Sequence, residues 1–268
     1  MAHDAAPLPP ADRAAPPPAP VAVHVRGARL VYGGTVLFDE LDVVLPGGRW
    51  TCILGPSGVG KSSLIRLGAG LAPAGPGTRI DADDGRPLRG RVALMAQQDL
   101  LLPWLTLAEN VRLGARLRGA SGAALADADR RARALLAQVG LAAVADARPA
   151  ACSGGMRQRA AIARTLFEDR PIVLMDEPFS ALDAITRTRV QEIAAAMLAG
   201  RTVMLVTHDP LEALRLGHRI HVLSGRPARL GEALEPAGAP PRDPADPALL
   251  AAHAELLRRL RAAAGDEP

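Results

Sequence analysis

From Val21 onward, apolar residues alternate with polar ones in short runs. VAVHVRGARLVY (21–32), VLFDELDVVL (36–45) and RWTCIL (49–54) are separated by GG and PGG. Period-two alternation bounded by turn residues predicts β-strands, and three in succession suit a meander. The rhythm then changes. SSLIRLGAGL (62–71) reads as a helix and RVALMAQ (91–97) as a strand. TLAENVRLGARLRG (106–119) reads as a helix opening on Thr106 with Glu109 three residues on, a capping-box spacing. ADADRRARALLAQVG (126–140) continues in helical rhythm. From Pro171 strands and helices alternate: PIVLMD, ITRTRVQEIAAAML, RTVMLVT, a helix opening on DPLE, then RIHVLS. Strands interleaved with helices predict a parallel α/β sheet, with residues 98–165 as a helical insertion into it.

The two ends differ from this body. Residues 1–20 are rich in proline and alanine and are expected to form a disordered arm. EPAGAPPRDPADP (235–247) reads as a linker. Asp246–Pro247 then opens an amphipathic helix with Leu249, His253, Leu256 and Leu260 on one face, expected to pack on its own chain or on a second copy. The expected organisation is therefore an arm (1–20), a folded domain (21–230), and a proline-rich linker with a terminal helix (231–268).

Composition narrows the class without naming it. A chain of 268 residues with 49% hydrophobic and 22% charged residues suits one substantial soluble core. No run approaches the ~18 apolar residues of a membrane-spanning helix. The N-terminus lacks the basic start and apolar core of a secretory signal, so the chain is expected to stay in the cytosol. The net charge is only +4, arginines alternate with acids, and six aromatic rings offer little for base stacking. No nucleic-acid partner is expected. Cys52 and Cys152 are too few and too far apart for a zinc site or redox pair, and read as small buried hydrophobes.

The candidate chemistry begins at GPSGVGKSS, residues Gly55, Pro56, Ser57, Gly58, Val59, Gly60, Lys61, Ser62 and Ser63. It fits G-x-x-x-x-G-K-[ST] and lies between a strand and a helix, where glycines can turn backbone N–H groups around a polyphosphate. Lys61 is the only lysine, every other basic residue being arginine. A compact ammonium on a flexible stem can reach the β- and γ-phosphates; a planar guanidinium cannot take its place. Ser62 is expected to offer a hydroxyl to Mg²⁺. IVLMDEP (172–178) is an apolar run ending in two carboxylates. A buried parallel strand ending in Asp176 sets that acid beside the metal, and Glu177 is placed to polarise the attacking water.

CSGGMRQRAAIARTL (152–166) narrows the class further, because it resembles the signature motif of ABC (ATP-binding cassette) ATPases. Tyr32 matches that family's adenine-stacking position, Gln97 its Q-loop, SALD (180–183) its D-loop, and His208 in VTHD its switch histidine. Cys152 stands where leucine usually precedes SGG, which suggests looser packing, and Met156 stands in place of a glutamine. The resemblance implies the ABC ATPase fold: a P-loop NTPase parallel-sheet core, an N-terminal antiparallel β subdomain and an inserted α-helical subdomain. It also implies two copies sandwiching two ATPs. Each copy holds one nucleotide with Tyr32, the phosphate loop, Gln97, Asp176, Glu177 and His208, and offers Ser153, Gly154 and Gly155 to the other. Glu177, His208 and Gln97 would serve catalysis, and Ser62, Gln97 and Asp176 the metal.

A single cassette implies a separate integral membrane permease, and QQDLLLPWLTLAENV (97–111) is the segment expected to receive it. LLPW followed by FSALD looks like the nitrate/sulfonate/taurine importer branch, and AQQDLLLPW resembles the ATPases serving uptake of pyrimidine precursors of thiamine. The resemblance therefore implies an importer subunit, peripheral on the cytoplasmic face of the inner membrane, served indirectly by a periplasmic substrate-binding protein. The alternative is a soluble ABC ATPase acting on nucleic acid or ribosomes. Such proteins usually carry two cassettes or a long inserted arm.

Overall fold

The structure, a computed structural model, describes residues 19–265. The arm expected over residues 1–20 lies, but for its last two residues, outside them. The strands are β1 (Val23–Tyr32), β2 (Thr35–Leu45), β3 (Trp50–Leu54), β4 (Arg79–Ala82), β5 (Val92–Met95), β6 (Ile172–Asp176), β7 (Thr202–Val206), β8 (Arg219–Ser224) and β9 (Arg229–Leu230). The α-helices are α1 (Lys61–Gly68), α2 (Leu107–Val111), α3 (Leu113–Leu117), α4 (Gly122–Gln138), α5 (Gly154–Phe167), α6 (Ala184–Met197), α7 (Pro210–Leu216) and α8 (Pro247–Ala264).

β1 and β2 pair antiparallel around Gly33–Gly34, as their alternation predicts. The third run does not extend this hairpin into a meander. All five residues of β3 are buried, and the strand lies between β7 and β8, parallel to both. WTCIL is nearly continuous in apolar character, and a strand covered on both faces belongs in a parallel sheet. The antiparallel sheet is completed instead by β4, in the order β2-β1-β4. RIDA has too weak a pattern to be read as a strand alone; its pairing with β1 makes it one.

The larger sheet runs β5-β6-β7-β3-β8-β9, parallel except for β9. Its faces feed two apolar clusters. Cys52 and Leu54 of β3 point into one, with α5, α7 and α8; Ile53 points into the other, with α1 and the antiparallel sheet. Helices α2 to α5 lie between β5 and β6 in the chain. The helix expected over 106–119 is interrupted at Arg112, which ends α2 and starts α3. The Thr106 capping box forms: its hydroxyl accepts from the Glu109 N–H at 3.2 Å, and the Glu109 carboxylate accepts from the Thr106 N–H at 2.8 Å.

At the C-terminal end, Leu249 and Leu256 of α8 are buried against the chain's own α7 and β8. The preceding proline-rich segment is not a free tether. Arg242, 6% exposed, donates to the carbonyls of Leu214, Gly217, Pro236 and Ala237 at 2.7–2.8 Å. Proline alone signals a linker; one arginine turns this one into a docked strap.

Candidate functional site

The phosphate loop is shaped by glycines that no other residue could replace without movement. Gly55 has φ 151°, and a β-carbon there would meet the Leu223 carbonyl oxygen at 2.2 Å. Gly60 has φ 111°, and a β-carbon would meet the Phe38 ring at 2.9 Å. Both the backbone conformation and the close approach exclude side chains. Val59 is buried beneath the loop, while Ser57 and Gly58 face outward. Helix α1 starts at Lys61, so its first-turn N–H groups lack intrahelical acceptors and point toward the loop's concave side. Lys61, 8% exposed, folds over the loop and donates to the Gly55 and Pro56 carbonyls at 2.7 and 3.0 Å. Burial lowers its pKa, against the pull of Glu177 and Asp176.

Sheet order brings the remaining groups to the same edge. β6, β7 and β3 are adjacent and parallel, so the residues following them emerge together. β3 leads into the phosphate loop, β6 ends at Asp176, and His208 follows β7. Asp176 is buried, and burial raises its pKa; the Ser62 hydroxyl pulls it back down, and the neighbouring Glu177 charge adds to the rise. Glu177 has φ 49°, a left-handed conformation uncommon outside glycine, and its N–H bonds the Val206 carbonyl at 2.8 Å. Its carboxylate lies 2.8 Å from His208 Nδ1. The histidine ring is largely exposed, which leaves it open to a ligand. Gln97, two residues past β5, is exposed and shares a cleft with Gly154, Gln158 and Ala181.

Helix α5 opens with Ser153 as N-cap, its hydroxyl accepting from the Met156 N–H at 3.2 Å. Met156 takes the glutamine's place in the capping arrangement: its sulfur accepts from the Ser153 N–H at 3.5 Å. Ser153 and Gly154 are exposed and Gly155 half-buried, so the helix start is open to solvent, with Gly154 beside Gln97 in their shared cleft. Cys152 is 7% exposed and sits in the apolar cluster, its thiol on the Arg148 carbonyl at 3.4 Å. The smaller side chain is buried all the same. Tyr32, at the tip of the β1–β2 hairpin, is 77% exposed. Phe38 packs that hairpin against Gly60 of the phosphate loop.

A strand–phosphate loop–helix, an acid pair closing a buried strand, and a glycine-tipped helix thus occur in one chain. Residues 38–180, more than half of it, match the family model described as ABC transporter. This chain belongs to the ABC transporter family. The aliphatic sulfonates import ATP-binding protein SsuB 2 of Burkholderia cenocepacia is 41% identical over 244 residues, covering 89% of this chain and 87% of that one. An uncharacterized ABC transporter ATP-binding protein of Haemophilus influenzae is 38% identical over 89% of this chain and 98% of its own. Among solved structures, the ATP-binding cassette MJ0796, a dimer in a post-hydrolysis state bound to ADP and Pi, superposes with TM-score 0.71 at 27% identity. That match covers 81% of this chain and 100% of that one. The chain is an ATP-binding cassette with ATPase activity, on the P-loop fold its motifs imply.

Three residues of this ABC cassette escaped sequence reading. Phe38 seats the phosphate loop; its signal is a lone phenylalanine in a β-rich run. Asn110, fully buried, donates to the carbonyls of Leu102, Leu105 and Thr106 and accepts from the Leu102 N–H at 2.7 Å. It pins the 102–106 loop, leaving Trp104 65% exposed. Gln158, 5% exposed, ties α5 to the end of β6. A polar residue inside an RQR string carries no visible sign of burial.

Proposed function

We propose that this cassette is the ATP-hydrolysing subunit of an importer for small organic anions, sulfonates first among them. The carrying observation is the Glu177–His208 contact at the sheet edge that also holds Lys61 and Asp176. Glu177 acts as general base on the attacking water, and His208 orients the carboxylate through Nδ1 and presents its other ring nitrogen to the γ-phosphate. Lys61 and the α1 N-terminus bind the phosphates, Ser57 to Ser63 line the loop, and Tyr32 stacks on adenine from the hairpin tip. The exposed ring and the Phe38 contact support that last role.

The donors present suit magnesium. Ser62 and Asp176 offer hard oxygens, and Gln97 adds an amide oxygen. When bound there, Mg²⁺ would neutralise charge on the phosphate oxygens.

The reading includes a homodimer in which Ser153, Gly154 and Gly155 of one copy complete the nucleotide site of the other. The solvent-exposed α5 start and the dimeric MJ0796 neighbour support it. Among the described residues no helix is long and apolar enough to cross a membrane. In the importer reading, which the names of its relatives support, this subunit works beside a separate permease, peripheral on the cytoplasmic face, with a periplasmic binding protein delivering cargo. Exposed Leu100 and Trp104 offer the permease an apolar surface. The cargo follows from the sulfonate importers among its relatives, which favour a sulfonate over a pyrimidine precursor.

The test is Glu177→Gln in the full chain. ATP binding is expected to persist, turnover to fall by roughly 10²-fold or more, and a closed dimer to accumulate on gel filtration with Mg–ATP. Unchanged turnover would remove Glu177 from its role, and a strictly monomeric, ATP-loaded variant would remove the sandwich.

A further inference from the structure

Helix α5 and the base Glu177 meet through one side chain. Gln158 lies five residues into α5, buried at 5% exposure. Its Nε2 donates to the Pro178 carbonyl at 2.7 Å and to the Glu177 carbonyl at 3.2 Å. Two carbonyl acceptors leave only one orientation for the amide, with the NH₂ toward them, and both of its hydrogens are used. The same Glu177 carbonyl accepts from the Ser180 hydroxyl at 3.1 Å. The peptide group it holds belongs to a non-glycine residue at φ 49°, a conformation that persists only where its surroundings over-determine it. The Glu177 N–H is fixed on β7 and its carbonyl on α5; between those anchors the side chain is aimed at His208.

We propose that Gln158 is a positioning residue for hydrolysis, holding Glu177 in its left-handed turn so that the carboxylate meets His208 and the attacking water. The inference rests on the reading of Glu177 as general base. It has a further consequence within the two-copy sandwich. The α5 start serves the partner's nucleotide while Glu177 serves its own, so Gln158 joins the two sites: a nucleotide gripped by α5 in one site steadies the base in the other. The link is mechanical, through one helix and one amide.

The test compares Gln158→Leu and Gln158→Met, which keep volume and helix preference but remove both donors, in the full chain. Each is expected to lower kcat at least about tenfold, as small misplacements of a reacting group do, while KM for Mg–ATP moves less than about twofold. The decisive measurement is a cycle with Glu177→Gln. A residue acting through Glu177 has nothing left to position there, so adding Gln158→Leu to Glu177→Gln should change the residual turnover by less than about twofold. Multiplying losses, or an unchanged kcat in the single variants, would overturn the proposal. Should either variant fold poorly, the other carries the cycle, with nucleotide binding as the measure of folding. Normal turnover in Glu177→Gln itself would instead overturn the general-base reading, a separate outcome.

Discussion

At the scale of single residues, burial decides what a charged group can do. Lys61 and Asp176 are buried at the mouth of the site, and their pKa values move toward the neutral forms for the same reason, loss of water. Glu212 shows that effect away from the chemistry. It is 5% exposed, accepts from Gln191 at 3.1 Å, and burial raises its pKa to about 7, the charge of Asp209 adding to the rise. The folded state therefore holds a proton on Glu212 that the unfolded chain releases near pH 4.5. Its stabilising contribution is present in full below that pH and is lost as pH rises through about 7. Glu212→Gln keeps the amide partner and removes the ionisation. Its stability relative to wild type should thus rise between pH 5 and pH 9, by up to about 3 kcal/mol. Urea unfolding at both pH values checks this; a pH-independent difference would show that Glu212 does not titrate in this range.

At the scale of elements, the capping residues mark where helices begin. Thr106, Asp183, Asp209 and Asp246 each accept a backbone N–H at a helix start, and Pro210 and Pro247 occupy first helical positions that need no donor. These signals are local, so they were legible in the chain. The break at Arg112 was not, because nothing in VRLG distinguishes one continuous helix from two short ones. The cap at Thr106 has extra weight, because α2 carries Asn110 and thereby the Trp104 loop. Thr106→Val should cost about 1–2 kcal/mol, the usual loss for a removed cap. Thermal unfolding measures the cost. Faster hydrogen exchange in 102–111 should accompany it, and unchanged exchange there would separate the cap from the loop.

At the scale of the whole molecule, the C-terminal segment braces the site from behind. The buried guanidinium of Arg242 caps the C-terminal carbonyls of α7, the helix whose N-cap Asp209 follows His208. Among the described residues no carboxylate pairs with it; four carbonyls satisfy it instead. Arg242→Met would leave those carbonyls without donors, at a cost of about 2–4 kcal/mol. The expected result is a lower urea midpoint with a measurable loss of kcat, since the α7 N-cap Asp209 directly follows His208, the histidine proposed to meet the γ-phosphate. Loss of stability with turnover intact at low temperature would limit the strap to a structural part.

The sequence alone determined the family and the motifs that carry the proposed chemistry: the phosphate loop, the acid pair, the glycine-tipped helix and His208 in VTHD are contiguous strings that need no distant partner to be read. It also determined the alternation of strands and helices, because amphipathic period is a property of neighbours in the chain. Only the tertiary structure decided the sheet membership of β3, the strand character of β4, the docking of the proline-rich strap and the bridge from Gln158 to Glu177. Each depends on partners between 19 and more than 150 residues away, such as Pro178 and Glu177 for Gln158 or β7 for β3. A buried amide or arginine carries no mark of its burial in sequence, because polar residues are spelled alike whether water or a distant carbonyl satisfies them.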